Sequence, residues 1–244
     1  MSETIKKNIP LTRIQKLIGQ RMLESKQTQP CFYLTAKADV GVISDLRRQI
    51  SKQSGVKILI NDFFICAMAA AIEKYPLMAG SFKGDYIEIA EGVNIGLAVA
   101  APKGLVVPVV KNANKKSLAE IAKEIAELIE KARNNKLSLD EMSGACITLT
   151  ALGMFGIDSF LAIPSPGQCS ILSIGKIIEQ PVLCEDKVET KKFIEFGLAA
   201  DGRIVAYDYA AKFLVEITNL IANPQELVTV PFDSAQDRPA TAKH

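Results

Sequence analysis

Proton transfer and nucleophilic attack need titratable side chains held together, and the sequence supplies few of them in a usable place. Its one histidine is His244, the last residue, in a segment (PFDSAQDRPATAKH) that is polar, carries two prolines and has no periodicity. Such a segment is expected to be a disordered tail, so the imidazole has no defined position. The five cysteines, Cys31, Cys66, Cys146, Cys169 and Cys184, form no CxxC pair and have no histidine nearby. That spacing points to neither a zinc site nor a redox pair, and most of these thiols lie in apolar runs where they read as small buried side chains. No metal site is expected. Within Phe196–Leu214, FGLAADGRIVAYDYAAKFL, stand Asp201, Arg203, Tyr207 and Asp208. Asp201 and Arg203 are spaced to pair across a turn, Asp208 suits the first turn of the helix that follows, and Tyr207 is expected to pack on a neighbour. Asp201, Tyr207 and Asp208 are the titratable candidates for taking a proton. Thr150, with its branched side chain, reads as a good strand residue.

The elements that must position these groups can be read in order. Thr12 and Gln15 form a capping-box pattern, followed by Ile14, Leu17, Ile18 and Met22 at helical spacing to about Ser25. After Pro30 the pattern alternates from Cys31 to Asp39, with Phe32, Leu34, Ala36 and Ala38 on one face, which predicts a half-buried strand. A helix carrying Ile43, Leu46 and Ile50 follows. Asn61 is placed to cap a third helix, from Asp62 to about Lys74, closed by Pro76. Lys83–Asp85 predicts a turn between short strands. NIGLAVA (Asn94–Ala100) and LVVPVV (Leu105–Val110), joined by the turn Ala101–Gly104, are nearly all apolar and are expected inside the sheet with both faces covered. Pro108 there predicts a bulge or an edge. Ser117 with Glu120 starts the clearest helix, ended by Asn134 and Asn135. Ser138–Met142 is a helical turn, Ala145–Thr150, Ser170–Ile174 and Phe193–Ala199 are strands, and Asp208–Ile221 is a last helix stopped by Asn223 and Pro224.

A chain of 244 residues, 48% hydrophobic, can bury one sizeable core, so residues 1–230 are expected to form one domain and 231–244 the tail. Lys plus Arg at 29 against Asp plus Glu at 27 is too balanced for an electrostatic nucleic-acid partner. The amino-terminal MSETIKKNIPL lacks the apolar core of a signal peptide, and the longest apolar run, Phe63–Ile72, is half a membrane span. No membrane partner and a cytoplasmic location are expected. Mean hydropathy is positive, which in a soluble chain points to apolar surface covered by other subunits.

The stretch Phe196–Leu214 resembles the active-site segment of the acyltransferase cores of 2-oxo acid dehydrogenase complexes, in which a strand runs into DHRVVDG and then an AxxAxFL helix. The frame is kept as Asp201, Arg203, Ile204, Val205, Ala210, Ala211, Phe213 and Leu214. The family's histidine falls on Gly202, its aspartate on Ala206 and the following glycine on Tyr207. From Ile9 to Leu227 other segments resemble the family in the same order: IPLTRIQKLIGQRMLES as the opening helix, NIGLAVAAPKGLVVPVVKNANKKSLAEIAKEI (Asn94–Ile125) as the central segment, and LTALGMFGIDSF (Leu149–Phe160) as its TISNLGMFG strand and turn.

The resemblance implies an α/β (α+β) CoA-dependent acyltransferase fold, shared with chloramphenicol acetyltransferase: a mixed sheet flanked by helices, with a trimer as building block and a catalytic channel between neighbouring copies. In the family, trimers assemble further into cubic or icosahedral cores, and an acyl group moves between a dihydrolipoyl thiol and coenzyme A through a tetrahedral intermediate. A thiol with pKa near ~8.5 needs a base at neutral pH, which the family provides as histidine, and the oxyanion needs a donor, which falls on Thr150. Gly202 and Ala206 supply neither base nor acidic partner. Polar positions elsewhere in the family's channel are Cys31, Ala79 and Ala151 here. The expectation is an acyltransferase-like scaffold without its own turnover, a homotrimer or larger, which could join an active acyltransferase paralogue or other dehydrogenase-complex subunits. An active enzyme with an unusual base and a non-catalytic CoA or pantetheine binder are the alternatives. No lipoyl domain with its modifiable lysine precedes Ile9, so no covalent lipoyl site is expected in this chain.

Overall fold

The computed structural model describes residues 8–102, 104–184 and 187–229; the expected tail at 231–244, with His244, lies outside them. The chain runs α1 (Arg13–Thr28), β1 (Cys31–Asp39), α2 (Gly41–Ser54), α3 (Ile60–Lys74), β2 (Gly80–Phe82), β3 (Ile87–Ile89), β4 (Ile95–Leu97), β5 (Val99–Ala101), β6 (Gly104–Val106), β7 (Val109–Val110), α4 (Leu118–Arg133), β8 (Ile147–Ala151), β9 (Ser170–Ile174), β10 (Ile178–Cys184), β11 (Lys187–Asp201), α5 (Tyr207–Ala222) and α6 (Gln225–Thr229). The main sheet has the order β1-β11-β9-β8-β4-β7, with β10 extending it along β11. It is mixed: β8 lies parallel to β4 and β9, and the other pairs are antiparallel.

Helices cover one face of this sheet. α3 is buried on every side from Asp62 to Ile72, as a helix apolar all round must be, and Phe64 meets Phe196 of β11 edge to face at 5.2 Å. α4 and α5 pack against α3, and α5 also lies on β1. Because side chains alternate along a strand, the residues in register with Phe196 and Leu198, namely Ile174 and Leu172, share the helix side. Gly197, Ser173 and Thr150, in register with one another across β11, β9 and β8, therefore face away from α3.

The capping boxes at Thr12 and Ser117 form as the sequence predicts, with the backbone N–H groups of Gln15 and Glu120 donating to the hydroxyls at 3.2 and 3.3 Å. β1 and β9 keep their expected bounds. Three readings change. α3 starts at Ile60, so Asn61 lies inside it; the cap is instead the Asp62 carboxylate, which accepts from the Leu59 N–H at 2.6 Å. The apolar pair NIGLAVA and LVVPVV does not stay in the sheet. Only β4 and β7 do, β7 as the edge strand that carries Pro108 beside it, while β5 and β6 peel off as a separate two-stranded ribbon with Leu105 exposed. β11 is also far longer than Phe193–Ala199, because its first half pairs with β10, which together with α6 adds to the elements expected from the sequence.

α1 sits apart from the core. Ser25 is its one buried residue, donating to the Pro164 carbonyl at 2.7 Å, while Ile14 and Leu17 are 42% and 52% exposed. Farther along its apolar stripe Ile18 and Met22 are half-buried, so among the described residues the stripe is covered only in part.

Candidate functional site

The turn after β11 gathers most of the titratable residues singled out in the sequence. Asp201 closes the strand: its N–H donates to the Cys169 carbonyl, and it is in register with Cys31 of β1. Its carbonyl accepts from the N–H groups of Ile204 and Val205, which bends the chain toward α5. The Asp201 side chain is 0% exposed and fully engaged. Arg203 donates to it through Nε (3.0 and 3.2 Å), through Nη2 (2.6 Å) and through its backbone N–H (3.0 Å). The guanidinium also lies 4.3 Å from the centre of the Phe82 ring, and the hydrogen bonds to Asp201 hold its pKa above the ordinary value. This is the expected ion pair, and its geometry uses every lone pair of the carboxylate that faces the turn.

Gly202 donates its N–H to the Pro30 carbonyl at 3.1 Å, which ties the turn to the entry of β1. It is exposed, and a Cβ there would stand 3.7 Å from Cδ1 of Phe32 and 3.3 Å from that carbonyl, close enough that the Pro30 backbone would have to give by a few tenths of an ångström. Ala206 occupies the N-cap of α5, with φ −79° and ψ 161°, and its methyl accepts nothing from the helix's first N–H groups. Tyr207, the first helical residue, is 66% exposed and stacks on Phe32 with ring centres 4.1 Å apart. Asp208 points into solvent, where Lys212 donates to it at 3.1 Å and lowers its pKa.

Two other groups complete the picture. Cys31 is half-buried, and burial, then the nearby Asp201, raise its pKa, so it stays a thiol at neutral pH. Thr150 is half-buried near the end of β8 on the face away from α3. Two strand spacings and five residues of β11 separate it from Gly202, about 20 Å at ordinary strand dimensions. The structure therefore brings Asp201 and Arg203 together with Gly202, Ala206 and Tyr207, and leaves Thr150 well away from them within one chain. Tyr207 packs on a neighbour as the sequence predicts, and the structure identifies that neighbour as Phe32 of β1. Among the described residues, no three His, Cys, Asp or Glu side chains come together as a metal would require, and no helix is long and apolar enough to cross a membrane.

Comparison with known proteins gives a consistent picture. Residues 3–229 match the family described as 2-oxoacid dehydrogenases acyltransferase (catalytic domain). The chain is 38% identical over 220 residues to the dihydrolipoyllysine-residue acetyltransferase component of the pyruvate dehydrogenase complex of Rickettsia felis, covering 88% of this chain and 53% of that protein. It is also 38% identical over 223 residues to the dihydrolipoyllysine-residue succinyltransferase component of the 2-oxoglutarate dehydrogenase complex of Bacillus subtilis, covering 89% and 54%. It thus spans about half the length of these curated relatives. Among solved structures, the dihydrolipoamide acetyltransferase of Azotobacter vinelandii aligns with TM-score 0.87 and 29% identity, over 92% of this chain and 95% of that one. That enzyme has been studied for the catalytic role of a serine, of a histidine 52 positions later and of an asparagine four positions beyond the histidine. The cubic core of a pyruvate dehydrogenase multienzyme complex also aligns with TM-score 0.87, at 30% identity over 92% and 95% of the two chains. Chloramphenicol acetyltransferase shares the fold at TM-score 0.51 and 12% identity, over 83% and 94%.

Proposed function

Because this chain belongs to the family of 2-oxoacid dehydrogenase acyltransferase catalytic domains, we propose that it is an oligomeric core component of a dehydrogenase complex that does not itself transfer acyl groups. The observation that carries this reading is the turn from Asp201 to Ala206, which holds the frame of an acyltransferase site with no free proton acceptor in it. The Azotobacter vinelandii spacing supports the assignment: Thr150, Gly202 and Ala206 stand 52 and four positions apart, as do its serine, histidine and asparagine. The hydroxyl survives, and the imidazole and the amide do not.

None of the neighbours makes good the loss. Moving an acyl group to or from a thiol requires the thiol proton to be taken, and a positioned base contributes about 10²- to 10⁴-fold. Asp201 is sealed from solvent, and its oxygens are committed to Arg203. Asp208 is held as a carboxylate by Lys212, which weakens it further as a base toward a thiol. Thr150 can still steady an oxyanion, but at about 20 Å from Gly202 in its own chain it must act with residues of another copy. An assembly that mixes this chain with an active paralogue would place Thr150 opposite that paralogue's histidine. Oligomerisation is supported by the exposed Ile14, Leu17 and Leu23 of α1.

Dihydrolipoamide and acetyl-CoA, mixed with the purified protein, test this directly. The expected result is transfer slower than that of an active relative by about 10²-fold or more, and a rate matching an active relative would overturn the reading. Co-expression with an active paralogue should yield mixed oligomers, and failure ever to co-purify removes the mixed assembly. Gly202→His with Ala206→Asp is expected to recover little, since Cys31 and Ala151 have also lost polar groups.

A further inference from the structure

We infer that Tyr207 is the residue that keeps a thiol-bearing arm out of this site, so that the site is blocked as well as lacking a base. The inference deepens the reading above and rests on it. Gly202 and Tyr207 are both exposed and both lean on the same ring: Phe32 lies 3.7 Å from where a Gly202 Cβ would be, and its face is covered by Tyr207 at 4.1 Å. Phe32 itself is fixed, 8% exposed in β1 and paired with Ala200 of β11.

The placement of Tyr207 follows from its backbone. It is the first residue of α5, and the turn before it is fastened by Ile204 and Val205 to the Asp201 carbonyl and by Gly202 to Pro30. A side chain at that helical position leans back toward the N-terminus of the helix, and here it lays the ring on Phe32, the residue that also stands beside position 202. Where the resembling segment of the family has a glycine, this chain therefore places a ring with its outer face in solvent. A slender thiol end of coenzyme A or of a dihydrolipoyl group that approaches position 202 from the Phe32 side meets that ring. The ring does this by bulk: its hydroxyl has no hydrogen-bond partner in the arrangement just described and is not needed.

The test is calorimetry with coenzyme A on the native oligomer, on Tyr207→Gly and on Tyr207→Phe. Because Tyr207 is mostly exposed, neither change threatens the fold. Tyr207→Gly is expected to bind coenzyme A about tenfold more tightly than the native chain, a difference of about 1.4 kcal/mol, and Tyr207→Phe to behave as native. Equal behaviour of all three, whether they bind or not, overturns the inference, as does a Phe variant that matches the Gly variant. Gly202→His, alone and with Tyr207→Gly, supplies a spectroscopic check, since the sole native histidine is His244. Its ring protons should be displaced upfield by the tyrosine and return toward free imidazole positions in the double variant; identical shifts in the two overturn the inference. Native acyl transfer at an ordinary rate would sink the proposed function and this inference together, whereas equal coenzyme A binding by the three proteins with no native transfer overturns the inference alone.

Discussion

The capping of α5 offers a quantitative test of what position 206 does. Ala206 has the extended backbone of an N-cap, φ −79° and ψ 161°, but no side-chain oxygen to receive the free N–H groups of the first turn. α1 and α4 show the same geometry completed, by Thr12 and Ser117. Ala206 is exposed, so replacing its methyl sacrifices no packing. Ala206→Ser should therefore stabilise the protein by about 1 kcal/mol, within a range of about 0.5–2. For a domain of this size that is a rise in Tm of about 2–4 °C. Ser117→Ala, which removes a working cap, should cost a similar amount in the opposite direction. Urea and thermal melts on the two variants, with unchanged m-values, measure both. The same Ala206→Ser protein, assayed with dihydrolipoamide and acetyl-CoA, should show no more transfer than the native chain. A serine that adds no stability would show the N-cap argument to be wrong. One that restores transfer by itself would refute the claim that the base at 202 is what is missing.

Three further outcomes are expected. Asp62 is buried in α3, with Oδ1 unpartnered, and burial raises its pKa from 3.8 to about 6. The folded state then holds its proton more tightly than the unfolded chain. Its contribution to stability is complete below about pH 4 and is lost as pH rises through about 6, by at most about 3 kcal/mol; Asp62→Asn should flatten that slope in melts taken from pH 4 to 7. Arg203→Ala leaves the Asp201 carboxylate buried without its cation and should cost about 3–5 kcal/mol by denaturant titration, so a loss below 1 kcal/mol would show that water or another donor reaches Asp201. Leu17→Asp, at an exposed apolar position of α1, should lower the oligomeric mass in sedimentation while leaving the far-ultraviolet circular dichroism of the chain unchanged.

Much of the architecture could be read locally. The capping boxes at Thr12–Gln15 and Ser117–Glu120 rest on interactions within a few residues, the alternation of β1 and the apolar run of β9 are visible in the sequence itself, and the structure keeps each of them. The readings that changed depended on distant partners. Asn61 is a good capping residue by type, but the buried position of Asp62 and its bond to Leu59 start α3 earlier. The apolar runs around Pro108 resemble two interior strands, yet only their inner ends, β4 and β7, stay in the sheet; β5 and β6 pair with each other outside it.

The same division holds at the site. Which side chains are absent is a property of the sequence alone: Gly202 carries no imidazole and Ala206 no polar group in any conformation. Whether anything replaces them depends on distance, burial and pairing, and these arise only when β1, β11 and α5 come together. Folding seals Asp201 behind Arg203, sets Thr150 about 20 Å away across two strands, and lays Tyr207 over Phe32. A carboxylate in the sequence is a potential base until the fold decides which charge it faces and whether water can reach it.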